Sequence, residues 1–183
     1  MATYSTLEEI KTGMQDDLFA DDFITLRSEQ RDAIDQAKER FCKRSGRRGE
    51  YQYEALPEYR QFLWNAKMRF GKTLSALQVV KDMDFSRTLI LTHRPVVDSG
   101  WFEDFGKIFY DSPGFAYGSK NNGDSHISLE TRAKQGQCKY VYFASMQDLR
   151  GSELVGGNFD KNNEVFATAW DCIIVDEAHE GTQ

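Results

Sequence analysis

Two short segments carry residue types suited to phosphate chemistry. In Ala66-Lys67-Met68-Arg69-Phe70-Gly71-Lys72-Thr73, a glycine, a lysine and a hydroxyl residue stand where a strand-like run gives way to a helix-like run. Gly71 lets backbone N–H groups approach phosphate oxygens with no Cβ in the way. The Lys72 ammonium suits the β and γ oxygens of a nucleoside triphosphate, and the Thr73 hydroxyl suits Mg²⁺. A helix opening at this point adds its partial positive charge beneath the phosphates. The match to G-x-x-x-x-G-K-[ST] is incomplete, because Ala66 occupies the first glycine position and Arg69 and Phe70 make the loop bulky. Read alone, the segment is equally an ordinary strand-to-helix turn with an exposed lysine.

Near the other end lies Cys172-Ile173-Ile174-Val175-Asp176-Glu177-Ala178-His179, four apolar residues closing on two adjacent carboxylates. At the carboxyl end of a parallel strand such residues face a ligand crevice. Asp176 suits Mg²⁺, held partly through water because that ion keeps much of its hydration shell. Glu177 suits the orientation and deprotonation of an attacking water. One segment offers phosphate binding, the other metal and base, and phosphoryl transfer needs both.

The elements that must position these residues are read from periodicity. Leu7, Ile10, Met14 and Leu18 predict a short amphipathic helix within Ala2–Asp22, followed by an acidic end, either a docked lid or a solvated tail. Ala33, Ile34, Ala37 and Phe41 predict a second helix from Ser28. Lys43, Arg44, Arg47 and Arg48, broken by glycines, read as a flexible basic loop, either a solvated linker or a phosphate-backbone contact. From there strands and helices alternate. Gln61–Ala66 reads as a buried strand, Thr73–Met83 as a helix, Arg87–Thr92 as a strand and Val96–Tyr110 as a helix carrying Trp101, Phe102, Phe105 and Phe109. Asp111–Ser128 reads as a loop or short excursion, Lys139–Ser145 as a strand, Gly151–Glu164 as a surface loop and Asp171–Val175 as a last buried strand. Strands separated by helices predict a parallel sheet covered on both faces.

Composition narrows the class further. The 183 residues are 40% hydrophobic and 13% aromatic, enough for a core. A formal net charge of −6 argues against a protein that coats nucleic acid by bulk charge, but not against a local basic groove. Cys42, Cys138 and Cys172 are odd in number and widely spaced, which points to reduced thiols in a cytoplasmic protein rather than a disulfide framework or a zinc site. No apolar run approaches the roughly 18–20 residues of a membrane helix, and the acidic start lacks the apolar core of a signal peptide.

With these residues in place, the chain resembles the superfamily 2 helicases and translocases. Asp176-Glu177-Ala178-His179 is similar to their DEAH-type motif II, and Ala66–Thr73 to their motif I, in which alanine at the first position is common. The resemblance is closest to helicase-like subunits of type I and type III restriction–modification systems and related phage or mobile-element proteins. Leu26–Ile34 resembles the adenine-reading segment upstream of motif I, with Gln30 at the adenine-binding glutamine. Leu91-Thr92-His93-Arg94-Pro95 with Trp101 resembles motif Ia, and Phe143–Leu149 the motif before motif II, both of which lie along the nucleic-acid strand.

The resemblance implies a three-layer α/β/α, RecA-like P-loop domain with a mostly parallel sheet over residues 26–183, preceded by a helical, acidic extension over residues 1–25. It implies ATP and Mg²⁺ as ligands, with Gln30, Ala66, Arg69, Gly71, Lys72 and Thr73 around the nucleotide. It places Thr73 and Asp176 on the metal, and Lys72, Asp176 and Glu177 in catalysis. Thr92, Arg94 and Ser145 fall along nucleic acid, DNA rather than RNA, and His179 falls in coupling. In this family a strand after motif II inserts between the motif I and motif II strands, and a second RecA-like domain brings arginine fingers. The expectation is therefore a piece of a longer motor, cut after the motif II strand, with an unfilled sheet edge and weak turnover by itself. The other reading is a module that docks DNA or a partner and binds nucleotide without independent turnover, using the basic run and the aromatic helix, although the helical spacing of those aromatics favours core packing. A kinase or GTPase is disfavoured, since no Asn-Lys-x-Asp guanine reader occurs.

Overall fold

The computed structural model describes residues 24–45, 52–55, 61–150, 152, 156 and 162–176. Helix α1 spans Ser28–Phe41, with Ile34 and Ala37 buried on the stripe its periodicity predicts. Cys42–Ser45 (β1) then pairs antiparallel with Gln52–Ala55 (β2). Lys43 and Arg44 are thus in a ladder, which corrects the flexible loop expected for them. Arg47 and Arg48 lie outside the described residues, as does the expected helix within Ala2–Asp22.

The main domain alternates as expected. Helix α2 is Lys72–Asp82, strand β3 is Arg87–Thr92, and a 3₁₀ turn over Pro95–Val97 leads into α3, Asp98–Phe109. Strand β4 is Phe115–Gly118, α4 is His126–Lys134, β5 is Lys139–Ser145, α5 is Met146–Leu149, α6 is Asn163–Ala167 and β6 is Cys172–Val175. Strands β4, β5, β3 and β6 form one sheet in that order, every pair parallel. Alternating side chains feed two cores, as a sheet covered on both faces requires. Ile90, Tyr117, Val141 and Phe143 pack with Leu77 and Val80 of α2 and Trp101, Ile108 and Phe109 of α3. On the other face Leu89 and Ala144 pack with Leu149, Val165 and Trp170. Helix α1 lies outside α2, through Ile34, Ala37 and Val79. The result is the expected RecA-like α/β class. Among the described residues no helix is long and apolar enough to cross a membrane.

Several local expectations are resolved or changed. Of the two readings of Asp111–Ser128 the short excursion holds, with β4 and the start of α4 inside it, and the end of Gly151–Glu164 enters α6. Trp101 and Phe109 are core residues, as their helical spacing favours, so the docking alternative does not hold for them. Gln61–Ala66 is not a strand. It pairs with no described strand, and Leu63 is 85% exposed. Aromatic contacts hold it instead, Phe62 meeting Phe41 and Trp64 edge-on at centroid distances of 6.1 and 6.2 Å. The physical reason is a gap. A cavity of about 430 Å³ separates Phe62–Ala66 from β6, so neither backbone reaches the other. Strand β6 consequently has one described neighbour, β3, and Ile173 and Val175 are 54% and 59% exposed, where a fully buried strand was expected. The gap lies between the motif I and motif II segments, where the resemblance implies a further strand.

Beneath α4, His126 is buried among Tyr140, Tyr142 and Trp170. Its Nε2 lies 3.4 Å from Tyr140 Oη and 3.2 Å from Thr168 Oγ1, and its Nδ1 has no hydrogen-bond partner among the described residues. Burial lowers its pKa, outweighing the nearby carboxylates of Glu164 and Glu130, while Lys134 pushes the same way as burial.

Two outcomes follow for stability. Trp101→Ala should cost roughly 3–5 kcal/mol in urea unfolding, whereas Leu63→Ala should cost under about 0.5 kcal/mol. The unfolded chain takes up a proton at its histidine near pH ~6.5, which the folded chain resists at His126, so stability should be full above about pH 6.5 and fall as the pH drops below it. His126→Gln should flatten that part of the pH profile. An unchanged slope would show that burial of this imidazole is not its source.

Candidate functional site

The loop before α2 is shaped by backbone. Gly71 adopts φ 85° and Arg69 φ 62°, both left-handed, which a glycine adopts freely and an arginine at a cost. The Phe70 N–H bonds the Lys67 carbonyl at 3.2 Å, closing the turn. A Cβ on Gly71 would stand 2.4 Å from Gln30 Nε2, a contact that the end of that side chain can give way to, so it is the left-handed conformation that selects glycine. Gly71 also caps α2, with no side chain on the first N–H groups of the helix. Those amides are the groups that bind anions in such turns.

Two residues upstream brace this loop. The Arg27 guanidinium donates to the Arg69 carbonyl at 3.0 Å and the Phe70 carbonyl at 2.6 Å. Gln30 is 4% exposed; its Oε1 accepts from the Arg27 N–H at 2.9 Å and its Nε2 points at the Gly71 carbonyl at 3.5 Å. The last contact is long and therefore weak, so the amide can be exchanged for a ligand. Sequence reading singled out Gln30 but gave Arg27 no role of its own. Its position three residues before Gln30 carried no signal for a contact forty residues away.

The acidic strand end arrives from the opposite side of the crevice. Asp171 Oδ2 accepts the Ser86 and Arg87 N–H groups at 3.0 and 2.9 Å, fixing the start of β6 against β3. At the far end Val175 stands opposite Leu91, and the Asp176 N–H bonds the Leu91 carbonyl at 2.9 Å. The structure thereby brings Lys72 Nζ to 3.8 Å from Asp176 Oδ1, with the two side chains 46% and 21% exposed. Thr73 follows in the first turn of α2 and is half-buried, and Ala66 lines the adjoining cavity. Glu177 and His179 lie outside the described residues. Among the described residues no three metal-binding side chains cluster. Thr73 and Asp176 alone suit Mg²⁺, which takes few protein ligands and fills its octahedron with phosphate oxygens and water. Behind them burial pushes the Cys172 thiol up to about 12, so it stays protonated and plays no nucleophilic part.

The other strand ends on this edge hold the remaining site residues. Thr92 is buried and its hydroxyl donates to the Arg94 carbonyl at 2.8 Å. Ser145 is buried and caps α5, its Oγ accepting the Asp148 N–H at 3.0 Å and donating to Asp148 Oδ2 at 2.7 Å. Both hydroxyls are thus turned into their own loops, while Arg94 is exposed.

A family model described as "Type III restriction enzyme, res subunit" matches residues 23–183. A protein of Mycoplasma pneumoniae, described as the C-terminus of a putative type II restriction enzyme and methyltransferase, is 30% identical over 134 residues, which are 70% of this chain and 18% of that protein. The chain thus spans less than a fifth of that relative's length. With the family match running from ahead of Arg27 and Gln30, through the Gly71 turn and on past Asp176, the chain belongs to the type III restriction enzyme res-subunit family, one of the helicase-like families of restriction–modification proteins.

Proposed function

We propose that this chain is the ATP-binding first motor domain of a DNA helicase or translocase, working in a restriction–modification or mobile-element system in the cytoplasm beside a second RecA-like domain. The observation that carries the reading is the 3.8 Å approach of Lys72 Nζ to Asp176 Oδ1. It brings an ammonium and a carboxylate to one crevice beside the N-terminus of α2, which supports phosphate binding by the first and metal binding by the second.

The chemistry is in-line attack of water on the γ-phosphate of ATP. Lys72 draws the β and γ oxygens to the helix N-terminus and offsets the charge that develops as the terminal bond breaks. The amides around Gly71 hold the phosphates without reorganising. Thr73 and Asp176 hold Mg²⁺, which supplies further neutralisation of phosphate charge when bound. Glu177 orients the water and accepts its proton, and His179 links this end to the rest of the motor. Gln30 reads the adenine edge by releasing its long contact to Gly71, and Arg69 lies beside the phosphates.

The DNA would cross the ends of β3 and β5. Arg94 supplies the phosphate contact, and Thr92 and Ser145 fix the loops that present it. Contacts of this kind are sequence-independent and weaken with salt.

Two measurements test the reading. Titration with Mg²⁺-ATP and Mg²⁺-GTP should show preference for ATP, and Lys72→Ala should weaken ATP binding by about 10- to 100-fold, the equivalent of a charge-assisted hydrogen bond or two. Equal affinity in the variant would remove Lys72 from the site. Arg94→Ala should weaken DNA binding to all sequences alike and reduce the salt slope by about one, with ATP binding unchanged. A slope identical to that of the unaltered chain would move the DNA path elsewhere.

A further inference from the structure

The loops that close this edge of the sheet are tied together by a buried carboxylate. Asp98, the first residue of α3, is 2% exposed. Its Oδ1 accepts from Tyr117 Oη at 2.7 Å, and its Oδ2 accepts from Ser119 Oγ at 2.7 Å and Asn122 Nδ2 at 2.9 Å. All three donors belong to β4 or the turn after it. Burial, and then the hydrogen bond to Asp98, raise the Tyr117 pKa far above that of a free phenol, so Tyr117 is a permanent donor.

The turn itself is tight. Ser119 Oγ accepts the Asn121 and Asn122 N–H groups at 3.1 and 2.8 Å. A Cβ on Gly118 would stand 2.1 Å from the Asp124 carbonyl oxygen, and Gly123 adopts φ 71°. From this turn Lys120 Nζ reaches Asp148 Oδ1 at 3.0 Å, and Asp148 is the residue whose other oxygen and N–H are held by Ser145. On its own side Asp98 follows directly on the Pro95–Val97 turn and Arg94. One chain of contacts thus runs from the loop after β3, through Asp98, to the loop after β4 and on to the loop after β5. Lys120 is 73% exposed, so its ion pair is a weak link. The buried carboxylate is the strong one, because its charge strengthens every bond it accepts.

We propose that Asp98 is a positioning residue that locks the loops after β3, β4 and β5 into one preformed face, holding Arg94 in fixed relation to the Ser145–Asp148 turn for contact with successive backbone phosphates. This rests on the nucleic-acid reading given above. A carboxylate suits the place because three donors converge on two oxygens. Asparagine keeps the shape but loses the charge and one of the two acceptor oxygens.

The test uses Asp98→Asn and Asn122→Ala in the full chain, with hydrogen exchange by mass spectrometry, binding of a fluorescein-labelled duplex by anisotropy, and Mg²⁺-ATP binding. Exchange should quicken in residues 119–124 and also in 93–95, DNA affinity should fall by about tenfold, comparable to one lost hydrogen bond to a charged group, and ATP affinity should hold. Faster exchange confined to 119–124, with DNA affinity unchanged, would overturn the proposal and leave Asp98 a local loop anchor. Wild-type chain that does not bind DNA would overturn the nucleic-acid reading, and the purpose assigned to the lock with it, whatever the exchange shows. Asn122 is partly exposed and supplies one bond of three, so Asn122→Ala decides the matter if Asp98→Asn does not fold.

Discussion

Lys72 and Asp176 meet because of β3, not because of their own attraction. An ion pair at 3.8 Å between half-exposed side chains contributes about 0–1 kcal/mol, far too little to draw two distant segments together. Helix α2 packs over the sheet through Leu77 and Val80, and the chain then returns as β3 through the middle of the sheet. Strand β6 lies against β3 in a register that Asp171 fixes at one end and the Asp176 N–H fixes at the other. A one-residue slip of that register would turn Asp176 to the opposite face. The sheet therefore holds the crevice, and the crevice adds little to the stability of the sheet. A pair so weakly held is also easily opened by a ligand that offers both partners something better.

The same register leaves one side of the crevice unfinished. Beyond β6 the backbone has no described strand partner, and the Phe62–Ala66 segment faces it across the cavity. Trp64 on the far wall is partly buried against α1 and α2, and its indole N–H has no acceptor among the described residues. Unsatisfied buried donors are uncommon, and an open strand edge is a row of unpaired groups. The open edge of β6 faces that slot, and an added extended segment would pair with it. Lys72 and Asp176 line the same cavity, so whatever occupies that slot touches the walls of the proposed nucleotide crevice too.

How much of this was legible from the residues depended on the range of the interactions. Helices α1 and α2 and strands β3 and β5 declare themselves through strong periodicity, and their ends fall within a residue or two of expectation. Strand β4 does not, since Phe-Ala-Tyr-Gly is four residues long and framed by Pro113, Gly114 and Gly118. Gln61–Ala66 misleads in the opposite sense. Its apolar run is real, but strand formation needs a neighbour, and the neighbour is not encoded locally. The hydroxyls of Thr92 and Ser145 were readable as strand-end residues, though not their inward orientation, which depends on the loop each one closes. Arg27 and Asp98 gave no signal at all. A charged residue in the first turn of a helix reads as a dipole partner, and only the packing of β4 against α3 makes Asp98 a buried anchor.

Strand β3 is where the two proposed activities come closest. Its Leu91 carbonyl holds the Asp176 N–H, and the next residue, Thr92, holds the Arg94 carbonyl. The end of one strand thus fixes the carboxylate of the proposed metal site on one flank and the cation of the proposed DNA path on the other. Rigidity here matters more than reach, because a sheet end buried on both sides transmits a displacement instead of absorbing it. On the proposed reading, a shift of Asp176 as phosphate is bound or released is felt one residue away at Thr92. The Asp98 lock then spreads that shift over three loops, where without it the motion would end in Arg94 alone. A phosphate contact made by a single flexible arginine slips under load. The same contact backed by a buried carboxylate and a shared turn resists displacement, which is what a motor acting on a charged backbone requires of its grip.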